Sequence, residues 1–162
     1  MSVKVAGTDS NQVVVHMKFR GSDDELSKMN FDATQNDGGV TVTMRRKEKN
    51  GWFHWGSWSS EQGIEVTVPS HYGIKIRTGG GNIDLQNTVG AVDAHTSGGD
   101  INAKNLTGNV LVHTSGGGIH VDTVRGDVDA DTSGGDVRVL SVDGKIKANT
   151  SGGSVRVSLV GA

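Results

Sequence analysis

The sequence contains no cysteine, a single proline (Pro69) and few aromatic residues. The absence of cysteine excludes disulfide bonds, iron–sulfur clusters, thiolate zinc sites and a cysteine nucleophile. No apolar run approaches the ~18 residues of a membrane-spanning helix, and no basic and apolar leader precedes the first strand-like residues. The 16 basic and 18 acidic residues give a net charge of −2, which argues against nucleic-acid binding through bulk positive charge.

Glycine is the residue in excess, with 25 in 162 residues against a usual ~7%. The glycines recur at fixed intervals among alternating apolar residues, which is not the pattern of a disordered linker. From Thr78 onward the chain repeats every 18 residues without an insertion. The motif Thr-Ser-Gly-Gly opens the later repeats, at Thr96, Thr114, Thr132 and Thr150.

The pattern inside each repeat predicts β-structure. With the threonine as position 1, positions 6, 8, 15 and 17 are apolar and alternate with polar residues, which predicts two short strands. Position 11 is mostly apolar and indicates a third short side, and the glycines at positions 3, 4 and 13 predict turns with positive φ. A period without insertions predicts an all-β fold, a parallel β-solenoid with 18-residue coils. We expect right-handed coils because right-handed crossovers predominate.

The N-terminal part of the chain is less regular. Residues 1–77 are predicted to form β-strands that cap the solenoid, residues 78–162 form its regular coils with the last one incomplete, and together they make one continuous domain. Five strands are expected, at Val3–Ala6, Gln12–Phe19, Val40–Arg46, Ile64–Val68 and Ile74–Arg77. Segments 40–46 and 64–68 are predicted to pair as an antiparallel hairpin, and residues 23–30 fit either a helix or a turn followed by a strand.

A resemblance to a known family rests on Ile-Glu-Val-Thr-Val-Pro69, then Ile74-Lys-Ile-Arg-Thr, then serial Thr-Ser-Gly-Gly-Asp coils. These motifs resemble the DUF4097 class of bacterial domains, called adhesins by analogy, and the related toast-rack β-repeat domains of envelope-stress proteins. The resemblance implies a β-helix fold in the cell envelope or outside the cell, and it implies no catalytic residue. Such proteins usually carry a leader or anchor before the first strand, so we expect the sequence to be cut at its N-terminus. The last repeat stops at Ala162 without a capping pattern, which indicates either a piece of a longer protein or an end covered by a partner, and we favour the first.

The most distinctive local feature is Asn50-Gly-Trp-Phe-His-Trp-Gly-Ser-Trp58, which contains all three tryptophans and follows a basic run. Aromatic and basic side chains at a hairpin tip would suit an envelope glycan or a protein partner. The alternative is that the rings cover the side or end of the solenoid. The candidate ligand-binding residues are Arg45, Arg46, Trp52, Phe53, Trp55 and Trp58.

Position 18 forms an outward row in which His95, His113 and Asp131 are neighbours, a set that could hold a divalent cation. The alternative is a solvated face, and we predict no metal and no cofactor. Calcium is disfavoured because position 5 is not consistently acidic. No catalytic residue is assigned, since 18-residue coils leave no long loops to build a cleft.

Three functions follow from these observations. The first is a non-enzymatic module of a bacterial envelope or surface protein that acts as a scaffold or in adhesion and ligand recognition. The second is a structural unit that self-associates through the open end of its solenoid. The third is a carbohydrate-active β-helix enzyme. No nucleic-acid partner and no membrane span within the sequence are expected.

Overall fold

The computed structural model describes residues 2–18, 29–36, 39–46 and 63–159, with the backbone alone for 29–36 and 39–46. These residues form β-strands, and none of their segments is a helix long and apolar enough to cross a membrane. The strands are β1 Ser2–Thr8, β2 Val14–Lys18, β3 Met29–Asn36, β4 Gly39–Arg46, β5 Gly63–Pro69, β6 Ile74–Thr78, β7 Ile83–Val89, β8 Val92–Thr96, β9 Ile101–Thr107, β10 Val110–Thr114, β11 Ile119–Arg125, β12 Val128–Thr132, β13 Val137–Asp143, β14 Ile146–Thr150 and β15 Val155–Leu159.

Two sheets form the walls of a solenoid. One has eight strands in the order β15-β13-β11-β9-β7-β1-β5-β2, and the other has five in the order β14-β12-β10-β8-β6. From β6 onward the chain alternates between the two sheets, and each strand pairs in parallel with the equivalent strand of the next coil. Paired residues are one repeat apart, as with Val110 and Val128. The predicted β-solenoid of parallel 18-residue coils is therefore confirmed.

The interior consists of ladders of equivalent side chains. The apolar residues at positions 6, 8, 15 and 17 stack along the solenoid, and in the central coils they are almost completely buried. Position 11 is also buried, but it belongs to the same seven-residue strand as positions 6 and 8 and forms no separate side. The strand bends at position 10, where a residue other than glycine takes a positive φ. These residues are Asn87, Asn105, Thr123 and Ser141, with φ of 58°, 55°, 57° and 54°.

The Thr-Ser-Gly-Gly motif joins each coil to the one before it. The buried hydroxyl of Thr114 donates to the carbonyl of Gly99 at 2.8 Å, and Thr132 donates to Gly117 at 2.8 Å. The glycine at position 4 is thus needed for close approach of two backbones. Positive φ occurs instead at the glycine of position 13, as in Gly108 and Gly126.

The first strand of the chain is inserted into the solenoid wall. Strand β1 lies between β5 and β7 and runs parallel to both, so that Val5 is paired with Val66 on one side and Leu85 on the other. Strand β2 then pairs antiparallel with β5 and closes that end of the eight-stranded sheet. The N-terminal region and the regular coils therefore share one sheet.

The predicted hairpin between residues 40–46 and 64–68 is wrong. Strand β4 pairs antiparallel with β3, and β5 pairs with β1 and β2. Only two residues separate β3 from β4, and strands with so short a connection usually pair with each other. Strand β3 overlaps only the end of the segment 23–30, for which a turn followed by a strand was one alternative, and no strand was predicted over the rest of it, so its pairing was missed.

Thr88 is fully buried in the core, and its hydroxyl has no hydrogen-bond partner among the described residues. It occupies position 11, which the next coil fills with Leu106. We expect Thr88→Val to raise the free energy of unfolding by about 1–2 kcal/mol, because the substitution removes an unsatisfied buried hydroxyl at almost constant volume. Urea unfolding measures the change. The same substitution at Thr114, whose hydroxyl is bonded, should lower stability, and equal effects at both sites would contradict this explanation.

Candidate functional surface

The outer face of the five-stranded sheet carries acidic, basic, imidazole and apolar side chains. Positions 16 and 18 of each strand point outward there, in two rows that cross five coils. We call this surface the five-stranded face. Its residues are Lys75, Arg77, Asp93, His95, Leu111, His113, Asp129, Asp131, Lys147 and Asn149.

Asp93 is the electrostatic centre of one end of this face. Its Oδ2 lies 3.2 Å from Arg77 Nη2 and 3.4 Å from Lys75 Nζ, and its Oδ1 lies 2.7 Å from His95 Nε2. The two cations come from β6, one coil earlier, and the imidazole comes from the same strand. Three basic groups thus converge on one carboxylate that is only partly exposed.

The three residues considered for a metal do lie side by side. His95 and His113 are paired in register on β8 and β10, with ring centroids 5.6 Å apart, and His113 Nδ1 lies 3.8 Å from Asp131 Oδ1. His95 Nε2, however, is directed at Asp93. Among the described residues, no group of three or more His, Cys, Asp or Glu side chains converges as metal ligands do. In this row each imidazole lies beside a carboxylate of its own or a neighbouring strand.

Strand β12 gives the five-stranded face an acidic band. Asp129 Oδ2 accepts a hydrogen bond from Lys147 Nζ at 2.9 Å, and this bond raises the pKa of Lys147. Asp131 accepts a longer bond from Asn149 Nδ2 at 3.5 Å. Along position 16 the face thus has a lysine at each end and two carboxylates inside them, with Leu111 between the carboxylates.

A shallow groove of about 710 Å³ runs along the edge of the five-stranded face, where the strands begin. It crosses all five coils, and Leu111 stands in its middle with 43% of its surface exposed. Asp93 and Asp129 flank that leucine, and Lys75 and Lys147 lie beyond them. The groove thus offers an apolar centre between two acidic and two basic side chains.

The aromatic candidates fall outside the described residues. Trp52, Phe53, Trp55 and Trp58 belong to the segment between β4 and β5. Arg45 and Arg46 end strand β4, where their backbones pair with Asn30 and Met29 of β3. Their role in binding stays a prediction.

The aspartates of the turns bind the backbone of the next coil. Asp100 Oδ1 accepts from the Gly118 amide at 2.7 Å, and Asp136 Oδ1 accepts from the amide and the hydroxyl of Ser154, at 2.8 and 3.0 Å. These bonds lower the pKa of Asp136, with the amide as the largest cause. The turn aspartates act as links between coils.

The Ser154 bonds predict acid sensitivity of the last described coil. A carboxylate whose pKa is lowered by folding contributes stability above its ordinary pKa and loses it as the pH falls through the lowered value. We expect the amide protection factors of Val155–Leu159 to fall in that acidic range, before those of the central coils. Hydrogen exchange measured by NMR tests this. Asp136→Ala should lower the protection factors of Val155–Leu159 already at neutral pH. Asp100→Ala should leave them unchanged, because Asp100 precedes β9, which lies three strands away from β15 in the same sheet. A pH-independent protection of β15 would contradict the assignment.

Sequence reasoning found the row of His95, His113 and Asp131 but missed the importance of Asp93. The signal was present, because Lys75 and Asp93 are 18 residues apart and Arg77 occupies the next outward position. An acidic residue one repeat after a basic one predicts an ion pair between coils. Lys147 and Asp129 show the same spacing in the opposite order.

Comparison with known proteins assigns the family. A sequence model of Toastrack DUF4097 matches residues 1–162, the whole chain. Searches of curated proteins and of solved structures found no match. The stacked coils and the match over the full sequence agree with each other, and the chain belongs to the Toastrack DUF4097 family.

Proposed function

We propose that this Toastrack β-solenoid is a non-enzymatic scaffold and recognition module of a bacterial envelope or surface protein. The observation that carries the proposal is that the charged side chains are separated from an almost entirely apolar interior. In the described coils the buried polar residues are four threonines, three of which are bonded between coils, and every charged residue lies outside. The charged groups thus form an outer surface around an inert interior.

In the described coils every charged side chain is at least partly exposed, which supports a non-enzymatic role. General acids and bases are usually tuned by burial or by a close charge in a cleft. Glu65, Asp136 and Lys147, whose pKa values are shifted by hydrogen bonds to their neighbours, are exposed groups. The five-stranded face holds its charges in ion pairs along a shallow groove. This arrangement suits recognition better than proton transfer.

The stacking of the coils supports a scaffold. Equivalent residues pair in register from β6 to β14, and side-chain ladders continue this order inside and outside the walls. In a solenoid each coil is stabilised by its neighbours, so the array behaves as one rigid rod. A rod of this kind can hold a binding segment at a fixed place. The envelope location is inferred from the family resemblance of the sequence.

We assign ligand recognition to the Trp-rich segment, with an envelope glycan or a protein as partner. Tryptophan fluorescence tests it directly, since all three tryptophans lie between residues 52 and 58. Recognition predicts a red-shifted spectrum that acrylamide quenches easily and that shifts to the blue with an envelope glycan or membrane-protein extract. Trp55→Ala should weaken the response, and Leu111→Ala, on the five-stranded face, serves as the matched control. A blue-shifted spectrum protected in the free protein would assign the rings to a structural cover and overturn this role.

Two other functions make different predictions. Self-association through the solenoid end is suggested by the exposure of Val155 and Val157, and it predicts a mass that rises with concentration in sedimentation experiments. A carbohydrate-active enzyme predicts shortened products when envelope glycans are incubated with the protein. Neither a change of mass nor a product is expected from a monomeric recognition module.

A further inference from the structure

The two histidines of the five-stranded face lie close enough to share one metal ion. His95 and His113 occupy the same repeat position on the adjacent strands β8 and β10, and their ring centroids are 5.6 Å apart. A metal–nitrogen bond of ~2.1 Å places the centroid of a bound imidazole ~3.2 Å from the metal, so two imidazoles on one tetrahedral ion have centroids ~5.3 Å apart. The separation in the protein is close to this value. The backbone of the two coils therefore holds the rings at a spacing that suits a shared ion.

Each of these imidazoles has a carboxylate beside one of its two nitrogens. His95 Nε2 lies 2.7 Å from Asp93 Oδ1, and His113 Nδ1 lies 3.8 Å from Asp131 Oδ1. Histidines that bind metals usually donate their other ring N–H to a carboxylate or a carbonyl, which fixes the tautomer and the orientation of the ring. The nitrogens left for a metal are then Nδ1 of His95 and Nε2 of His113, and neither of them lies beside a carboxylate of the described residues.

An unsatisfied oxygen favours the required tautomer of His95. Asp93 Oδ1 is buried and accepts no hydrogen bond from the described residues. A proton on Nε2 of His95, which lies 2.7 Å away, would satisfy this oxygen, and it would leave the lone pair on Nδ1 for a metal. The other oxygen of Asp93 is paired with Lys75 and Arg77, whose charges compensate the carboxylate. Asp93 is therefore assigned to the orientation of His95 and is not itself a ligand.

The ligand set determines the class of metal. Neutral imidazole suits zinc, copper and nickel, whereas calcium and magnesium require several oxygen ligands. The described residues bring no third ligand of protein origin to the two rings, so water molecules complete the coordination of the ion. The side chains of His95 and His113 are 30% and 38% exposed, which gives a hydrated ion access to both.

We propose that His95 and His113 bind one divalent transition-metal ion of the zinc, copper and nickel class, with Asp93 and Asp131 as positioning residues. The ion joins β8 to β10 across two coils. It stabilises the folded protein, because the unfolded chain does not hold two imidazoles together. The proposal replaces the expectation of a solvated row without metal at these positions. The site is separate from the Trp-rich segment, and the two can be tested independently.

Calorimetric titration of the untagged full chain with Zn²⁺ at neutral pH tests the proposal, and one ion is expected to bind per chain. His95→Ala and His113→Ala should each abolish this binding. Asp131→Asn should weaken it about tenfold, because the carboxylate orients the His113 ring. His120→Ala is the matched control and should leave the affinity unchanged, since the register neighbours of His120 on β9 and β13 are not histidines. Nitrogen NMR of the imidazoles gives a second readout, in which Zn²⁺ should shift the ring signals of His95 and His113 alone.

Three results would overturn the proposal. The first is the absence of both heat and ring shifts up to millimolar Zn²⁺. The second is binding that survives His95→Ala and His113→Ala, or that His120→Ala removes, because the ion would then occupy another site. The third is one ion per two chains together with a dimer in sedimentation experiments, which would place the ion between molecules. Stronger protection of the β8 and β10 amides from hydrogen exchange in the presence of Zn²⁺ would support the shared ion, and circular dichroism checks that each variant remains folded.

Discussion

Replacing Gly117 with alanine is expected to abolish stable stacking of the central coils, whereas the same change at Gly116 should leave stability almost unaltered. The two glycines are adjacent in one Thr-Ser-Gly-Gly turn. A Cβ atom at Gly117 would lie 2.2 Å from the carbonyl oxygen of Gly99, while one at Gly116 would meet its nearest atom at 3.6 Å. The difference between them comes from the backbone of the preceding coil.

The clash at Gly117 cannot be relieved locally. The carbonyl of Gly99 is held by the hydroxyl of Thr114, which donates to it at 2.8 Å. Moving this carbonyl would break that bond and shift the whole turn against its neighbours on both sides. The equivalent Gly135 shows the same 2.2 Å approach to Gly117, so the constraint recurs along the solenoid.

We expect Gly117→Ala to lower the free energy of unfolding by about 4 kcal/mol or more, which places it among the most destabilising single substitutions. Urea unfolding followed by circular dichroism measures it. Gly116→Ala is the matched control and should change the free energy by about 0.5 kcal/mol or less. Similar midpoints for the two variants would show that the turn adapts, and would refute the close-approach role of position 4.

The regular coils were predictable because the 18-residue repeat determines both which positions face the interior and which residues pair between coils. Positions 6, 8, 15 and 17 could be assigned to the interior, since alternation and an unbroken 18-residue spacing allow a single stacked register. The bend at position 10 was missed. Its residues, among them Asn87 and Asn105, are not glycine, and a positive φ in Thr123 is uncommon for a β-branched residue.

The N-terminal topology could not be read from the same signals. Nothing in the local pattern of Ser2–Thr8 indicates that its partners are β5 and β7, because those strands follow more than fifty residues later. A hairpin between neighbouring strand candidates was the simplest choice, and it was wrong. Long-range pairing depends on the fit of whole surfaces and leaves little trace in a single segment.

The candidate surface was only partly predictable for a related reason. The row of His95, His113 and Asp131 follows directly from the period, so its members could be placed side by side. Which side chains pair within the row depends on their directions, and the convergence of Arg77, Lys75 and the His95 imidazole on Asp93 appears only in three dimensions. The Trp-rich segment lies outside the repeats, and the period gives no information on it.

The inserted strand β1 leads to the second large expected effect. Val5 is 4% exposed and lies between β5 and β7, whereas its neighbour Lys4 points outward. Val5→Asp places a carboxylate between Val66 and Leu85, where it has no partner, and burial of an unpaired charge is strongly unfavourable. We expect a loss of about 4 kcal/mol in the stability of the N-terminal part of the solenoid.

The position of β1 also determines where the damage should appear. If β1 leaves the wall, β5 and β7 lose their common neighbour, and the N-terminal strands separate from the regular coils. The coils from β9 to β13 keep their own neighbours, and a solenoid is stabilised mainly between adjacent coils. Hydrogen exchange with mass spectrometry should therefore show lost protection in β1, β5 and β7, and retained protection in β9 to β13. The matched control, Lys4→Gln, changes an outward residue of the same strand and should alter neither region. Uniform loss of protection along the whole chain would mean that β1 is a nucleus for the entire solenoid, and full retention would mean that it is not a part of the wall in solution.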